Sequence, residues 1–338
     1  MFGAMIHGDH DVRFEERPDP VIEEPTDAVV RTVATCVCGS DLWRYRGIAP
    51  VDSPTPIGHE YVGVVEEIGS QVTGVRPGDL VVGGFTTSDN TCPVCRKGMQ
   101  SACLHAADYD GCQAQYIRVM NASGTLVTIP GTPDTALMPS LLALSDVMCT
   151  GWHAAVSAGV EPGCTAVVVG DGAVGLCAVL AAQQLGAEKV IAMSRHADRQ
   201  AIARQFGATH IIPERGDEGV ARVRDLTDGI GADAVLECVG TADSVDQALR
   251  SVRPGGQVGW VGVPHVEGLP LGRMFRRNIG LRGGIAPVRA YLDDLLARVM
   301  DGRIDPGRVF TLTLPLSQVA EGYAAMDERR TVKTMLIP

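Results

Sequence analysis

The 338-residue chain carries 40 Asp and Glu against 29 Lys and Arg, a formal net charge of -11, and its basic residues form no long run, which excludes the clustered basic face that a nucleic-acid partner requires. The length favours two domains over one. The N-terminal MFGAMIHGDHDVRFEERPDP lacks the basic flank and apolar run of a signal peptide, and no apolar stretch approaches the roughly 20 residues that span a bilayer, so a cytoplasmic protein with no membrane partner is expected.

Up to about Asp146 the chain reads as short β-rich segments broken by Gly and Pro: VVRTVATCVC, then HEYVGVVEEIG, then an RPGD turn at Arg76 to Asp79 leading into LVVGG. This is a β-barrel-like half with long loops. From Thr165 the pattern changes. Strand candidates AVVVG, KVIAM, AVLECVG and QVGWVGV alternate with helical stretches such as AVGLCAVLAAQQLGA and ADRQAIARQFGA. Alternation of that kind implies a parallel, doubly wound α/β sheet. After Gly284, AYLDDLLARVMDGRIDP places Leu292, Leu295, Leu296 and Val299 at helical spacing, and the strand-like VFTLTLPL follows. This tail is expected to pack back onto the first half.

The ten cysteines in a reducing compartment should be thiols, so clustered ones point to metal or catalysis. Scattered ones such as Cys164 and Cys177 read as small buried hydrophobes. The densest cluster is SDNTCPVCRKGMQSAC, Ser88 to Cys103. It holds three cysteines at zinc-site spacing.

Within VVVGDGAVGLCAVLAA, Gly170, Gly172 and Gly175 form G-x-G-x-x-G directly after an apolar strand, and Ala173 and Val174 open the helix. The first glycine permits the tight turn, the second lets backbone approach a pyrophosphate, and the third allows helix and strand to pack closely. About 20 residues on, where an NAD site carries an acid for the ribose 2′-hydroxyl, stand Ser194, Arg195 and His196. A hydroxyl and a guanidinium suit a 2′-phosphate, and Arg199 adds a second charge. NADP(H) is therefore favoured over NAD(H), the alternative being a solvated Arg195 and a loosely held NAD(H).

Three fragments carry the chemistry of the first half: CVCGSDLWRYRG (Cys36 to Gly47), PIGHEYVGVVEEIGSQV (Pro56 to Val72) and LSDVMCTGWHAA (Leu144 to Ala155). The second fits G-H-E-x2-G-x5-G-x2-V throughout. With Cys-Gly-Ser-Asp upstream and Ser-Asp before the dinucleotide motif, the chain resembles the medium-chain dehydrogenase/reductase family in its zinc-dependent alcohol dehydrogenase branch. The resemblance covers nearly the whole length.

It implies a GroES-like catalytic domain over residues 1–147 with a zinc lobe near 88–112, a Rossmann domain over 148–284, and a return to the catalytic domain over 285–338. A catalytic zinc is expected in the cleft between the domains, on Cys38, His59 and Asp146, with Glu60 as an exchangeable fourth ligand. Zinc accepts sulfur, imidazole nitrogen and carboxylate oxygen, and a catalytic site leaves a position for substrate. It acidifies a hydroxyl or polarises a carbonyl while hydride moves to or from the nicotinamide. Ser40 matches the hydroxyl that relays the proton, and Asp41 reads as an anchor for the ligands. Where many relatives extend the relay with a histidine, this chain has Trp43, which cannot shuttle a proton and is expected to wall the substrate pocket with Ile48, the loop after Cys103 and Ile285 to Pro287. Trp152 and His153 are further candidates for that wall, with core packing the alternative for Trp152.

The same resemblance assigns Asp89, Cys92, Cys95 and Cys103 to a structural zinc lobe that usually carries four cysteines. A carboxylate oxygen is a sound replacement for the missing thiolate. His105 or Cys112 as fourth ligand, and a metal-free lobe, are the alternatives. The expected partners are a small alcohol or carbonyl substrate and further copies of the chain in a homodimer or homotetramer. The competing functions are a zinc-free quinone or enone reductase of the same superfamily and a dinucleotide-binding sensor without turnover.

Overall fold

The computed structural model describes residues 1–107 and 111–338. Part of the expected pocket loop after Cys103, residues 108–110, lies outside the described residues. The chain forms two units, one from residues 1–149 and 287–338 and the other from residues 150–286. The boundary falls inside the helix Val147–Ser157. Among the described residues, no helix is long and apolar enough to cross a membrane.

The first unit is built on the strand Ala28–Cys36, which pairs antiparallel with Tyr61–Ile68, Tyr116–Val119 and Lys333–Ile337. The seven-stranded sheet runs Phe310–Pro315, Lys333–Ile337, Ala28–Cys36, Tyr61–Ile68, Leu80–Gly83, Leu126–Thr128, with Tyr116–Val119 off this path against Ala28–Cys36. A smaller sheet joins Asp11–Glu16, Phe2–Gly8 and Thr55–Pro56. The C-terminal tail does return to this unit, with Met335 opposite Cys36 and Leu336 opposite Thr35. Its helix Val288–Met300 buries Leu292, Leu295, Leu296 and Val299, the stripe that the 3.6-residue period demands.

The second unit is a six-stranded parallel sheet. Its strands in chain order are Thr165–Val169, Lys189–Met193, His210–Ile212, Ala232–Glu237, Val252–Trp260 and Gly280–Gly283, and their spatial order is third, second, first, fourth, fifth, sixth. That order reverses direction next to the first strand, which is the dinucleotide-binding arrangement. The central strand TAVVV is buried on both faces, as a strand covered by helices on each side must be. The helix Ala173–Gln184 buries eight of its residues, including Leu176, Val179 and Leu180, so it lies inside the unit and is not amphipathic. The helix Ala242–Ser251 begins with a capping box in which Thr241 and Ser244 each satisfy the other's amide.

Candidate active site and metal centres

Strand register brings the first ligand set together. Thr35 pairs with Tyr61, so the end of Ala28–Cys36 and the start of Tyr61–Ile68 lie side by side. Cys38 leaves the first strand just past its end, and His59 and Glu60 enter the second just before it begins. Asp146 arrives from the turn before Val147–Ser157. Its neighbour Ser145 fixes that turn, donating its hydroxyl to Gly83 O at 2.6 Å and accepting Tyr61 N at 3.2 Å.

One donor atom from each of Cys38, His59, Glu60 and Asp146 lies within 4.8 Å of the others. The Cys38 thiol donates to Asp146 Oδ2 at 3.4 Å, and His59 Nε2 lies 3.8 Å from the same oxygen. A tetrahedral zinc with bonds of about 2.0–2.3 Å spans donor-to-donor edges of about 3.3–3.8 Å. The spacing fits such an ion. A second observation concerns the Glu60 carboxylate: Oε1 accepts from Lys333 Nζ at 2.7 Å, while Oε2 is buried with no hydrogen-bond partner among the described residues. A buried carboxylate oxygen without a partner is costly unless something positive meets it.

Asp41 organises the ligands from behind. Its Oδ2 accepts from Cys38 N at 2.9 Å and Gln113 Nε2 at 3.2 Å, and its Oδ1 lies 3.4 Å from His59 Nδ1. Gln113 is held in turn, donating to Cys36 O at 3.0 Å and accepting the Tyr323 hydroxyl at 3.0 Å. A carboxylate on Nδ1 leaves Nε2 to face the other donors, which is how a ligating imidazole is oriented. Burial draws His59 down, but the charges of Asp41 and Cys38 outweigh it and hold the ring well above its ordinary value. Burial pushes the Cys38 thiol up, with Lys333 opposing.

Ser40 caps the short helix Asp41–Tyr45 by position, yet its hydroxyl makes no capping bond. Trp43 is half-buried, its carbonyl accepting from Ile48 N at 2.9 Å, and Ile48 is exposed. Phe85, which drew no attention in the sequence, stands edge-on to His59 with ring centroids 6.0 Å apart. Trp152 and His153 are both buried in the second unit.

The second ligand set is the loop of Asp89, Cys92, Cys95 and Cys103, whose donor atoms also lie within 4.8 Å of one another. Cys103 Sγ is 3.4 Å from Asp89 Oδ1 and 4.0 Å from Cys92 Sγ. Backbone amides point at the sulfurs: Cys95 N at Cys92, and Asp89 N and His105 N at Cys103, all at 3.4 Å. Amides from Cys95 and Leu104 draw the Cys92 thiol down to about 7, which favours thiolate. Burial pushes Asp89 up, but the Thr91 and Cys92 amides and the His105 ring hold its carboxyl well below the usual carboxylate range. The two alternatives for the fourth position lie elsewhere. His105 Nδ1 is 2.6 Å from Asp89 Oδ2, outside the cluster, and Cys112 is packed among Val30, Tyr61 and Ile117 in the sheet core.

The glycine motif sits as its spacing requires. Gly170 has φ of +119°, open only to glycine without strain, and a Cβ on Gly175 would lie 2.1 Å from Gly170 O. Gly172 caps the helix Ala173–Gln184 without a side chain, and a Cβ there would meet nothing within 4 Å. That space and the helix N-terminus suit a pyrophosphate. At the end of the next strand the structure adds a residue that the sequence reading left out. Asp171, between the first two glycines, accepts the Ser194 hydroxyl at 2.8 Å and Arg195 N at 3.3 Å through Oδ2. Arg199 Nη1 lies 3.3 Å from Asp171 O and 3.5 Å from Oδ1. No acid stands at positions 194 to 196, but one reaches them from the glycine loop.

Fold and sites together define a dehydrogenase with a dinucleotide-binding unit and a metal-ligand cluster. Residues 24–131 match the alcohol dehydrogenase GroES-like domain, and residues 173–300 match the zinc-binding dehydrogenase domain. The chain is 34% identical to zinc-type alcohol dehydrogenase B of Aspergillus flavus over 99% of its own length and 81% of that protein. It is 37% identical to a probable zinc-binding alcohol dehydrogenase of Mycobacterium tuberculosis, covering 97% of this chain and 86% of the relative. Among solved structures, alcohol dehydrogenase TADH from Thermus sp. ATN1 superposes with a TM-score of 0.91 at 34% identity, over 100% of this chain and 99% of that one. The chain belongs to the zinc-type alcohol dehydrogenase family, a branch of the medium-chain dehydrogenase/reductase oxidoreductases.

Proposed function

We propose that the protein is a zinc-dependent oxidoreductase that transfers a hydride between NADP(H), used in preference to NAD(H), and an alcohol, aldehyde or ketone. The observation that carries this reading is the convergence of Cys38, His59, Glu60 and Asp146, with the partnerless Glu60 Oε2 among them. Zinc held there supplies Lewis acidity toward a hydroxyl or carbonyl, and the nicotinamide supplies or takes the hydride.

The chain's own residues do the rest. Cys38, His59 and Asp146 hold the ion, Glu60 serves as the exchangeable fourth donor, and Asp41 keeps His59 in the ligating tautomer. The Ser40 hydroxyl, which makes no capping bond, would move the substrate proton, and Trp43 cannot extend that relay. Trp43 and Ile48 bound the substrate pocket. Gly170, Gly172, Ala173, Val174 and Gly175 receive the pyrophosphate, and Ser194, Arg195 and Arg199 receive the 2′-phosphate. Asp89, Cys92, Cys95 and Cys103 hold a second, structural zinc. All ten cysteines are free thiols, in keeping with a reducing, cytoplasmic setting. A homodimer or homotetramer draws support from the sheet-ending strand Gly280–Gly283 and the nearby exposed Leu271, Phe275 and Ile285.

The test is oxidation of NADPH and of NADH with a panel of aldehydes and ketones, alongside metal analysis of protein purified without chelators. Carbonyl reduction by a zinc-containing enzyme, faster with NADPH at low cofactor concentration, is expected. Zinc-free protein that reduces activated alkenes instead would sink the proposal, and an Arg195→Ala variant with unchanged cofactor preference would remove the phosphate assignment.

A further inference from the structure

The carboxylate of Asp171 lies where a ribose-recognising group belongs, but among groups of the opposite kind. Its side chain and that of Arg199 are only 13% and 12% exposed. The strand Lys189–Met193 is parallel to His210–Ile212, with Met193 opposite Ile212 and Ser194 N donating to Ile212 O at 3.0 Å. The two strand ends therefore leave the sheet together. One carries Ser194 and Arg195, and the other leads through Pro213 and Glu214 to Arg215, the N-cap of the helix Gly216–Asp225. Burial draws Arg215 below its ordinary value, with Asp171 opposing and Arg195 adding to that shift, as its place at the adjoining strand end requires. Burial pushes Asp171 up, but the Ser194 hydroxyl, Arg199 and Arg215 hold it below its ordinary value, so it is a carboxylate at neutral pH. Arg199 thus lies against the carboxylate, the charges of Arg215 and His196 act on it, and Arg195 reaches it through its backbone N–H beside the Ser194 hydroxyl.

The two cofactors differ only at the 2′ position. A 2′-hydroxyl is a donor that a carboxylate accepts. A 2′-phosphate carries about two negative charges, which the arginines attract and the carboxylate repels. We infer that Asp171 is a cofactor-specificity residue: it keeps the site open to NAD(H) by accepting the 2′-hydroxyl, and it restrains the preference for NADP(H) that Arg195, Arg199 and a further phosphate-binding residue, Arg215, create. This rests on the assignment of those arginines to the 2′-phosphate.

The experiment is calorimetric binding of adenosine 2′,5′-bisphosphate and of 5′-AMP to zinc-loaded wild type, Asp171→Asn and Arg215→Ala. In Asp171→Asn the bisphosphate should bind more tightly and 5′-AMP more weakly, so that their affinity ratio rises by about tenfold or more. Asp171→Ser serves as a second variant, so that a folding defect peculiar to the amide does not decide the result. Arg215→Ala should weaken the bisphosphate by about tenfold and leave 5′-AMP unchanged. A ratio that stays constant or falls in both Asp171 variants overturns the role of Asp171, whatever the wild type prefers. A wild-type ratio near one that rises in Asp171→Asn keeps the role and instead overturns the native NADP(H) preference. Equal loss of both ligands, or of neither, in Arg215→Ala removes Arg215 from the phosphate site.

Discussion

Lys333 Nζ lies 2.7 Å from Glu60 Oε1 and 3.1 Å from Val37 O, with the two side chains 1% and 0% exposed. The pair ties the last strand of the chain to the ligand cluster. Burial opposes charge on Lys333, but Cys36, Glu60, Cys38 and Asp146 keep it an ammonium. Burial pushes Glu60 up and the ammonium opposes that shift. Removing one partner of a buried pair leaves an uncompensated charge, which costs about 3–5 kcal/mol. Lys333→Met should therefore lose that much stability in urea unfolding, and adding Glu60→Gln should recover more than half of it. Wild-type stability in Lys333→Met would show that the pair contributes nothing.

Asp41 touches Cys38 N directly and stands behind His59 Nδ1. Asp41→Asn keeps the shape but removes the charge that orients the ring. Loss of such a partner weakens metal affinity by about 10–100-fold. Competition with a chromogenic chelator measures this, and an affinity equal to wild type would count against a positioning role.

Asp89 is the carboxylate in the lobe set, with three thiols. The two ligand sets predict about two zinc ions per chain. Asp89→Ala should bring that down toward one and lower the thermal midpoint, whereas Asp89→Cys should keep both ions. An undiminished zinc content in Asp89→Ala would mean that another group completes the lobe.

Ser40 supplies a hydroxyl that no capping bond occupies. Ser40→Ala should lower kcat by about 10²–10⁴-fold, the range of positioned proton transfer. Zinc content and thermal midpoint should stay at wild-type values, since the hydroxyl holds neither helix nor ligand. A variant with full kcat would take Ser40 out of the relay.

Acid should act on Asp171. Its folded value lies below the unfolded one near 3.9, because the Ser194 hydroxyl and Arg199 stabilise the charged form. The contribution is complete above the unfolded value and is lost as pH falls through the folded one. Wild type should exceed Asp171→Asn in stability by about 1 kcal/mol at neutral pH, with the gap closing below about pH 4. Parallel unfolding curves across that range decide it, and a gap that widened in acid would reverse the sign.

Much of the candidate site was legible in advance. The pattern around His59 and Glu60, the Cys-Gly-Ser-Asp at Cys38 to Asp41, and Ser-Asp at Ser145 and Asp146 are local strings whose residue types suit zinc. The three meet although Cys38 and Asp146 are 108 positions apart. What escaped were the residues whose importance lies wholly in their neighbours. Lys333 reads as the head of the apolar strand KTMLI, and Glu60 lies 273 positions away from it. Gln113 and Tyr323 belong to no motif, yet they complete the support of Asp41. The nucleotide site shows the same limit: no acid stands at Ser194 to His196, and the carboxylate that accepts the Ser194 hydroxyl is Asp171, inside the glycine loop.

By itself the sequence determined the fold class, the parallel nucleotide sheet and the two candidate sets of metal donors, because periodicity, glycine spacing and ligand chemistry are properties of short stretches. Only the tertiary structure decided which charge balances Glu60, which carboxylate faces Ser194 and the arginines, and which of Asp89, His105 and Cys112 stands among the lobe thiols. Those outcomes depend on contacts between distant segments, set by strand register and by the low dielectric of a buried site, where one ammonium or carboxylate a few ångströms away outweighs anything nearby in the chain.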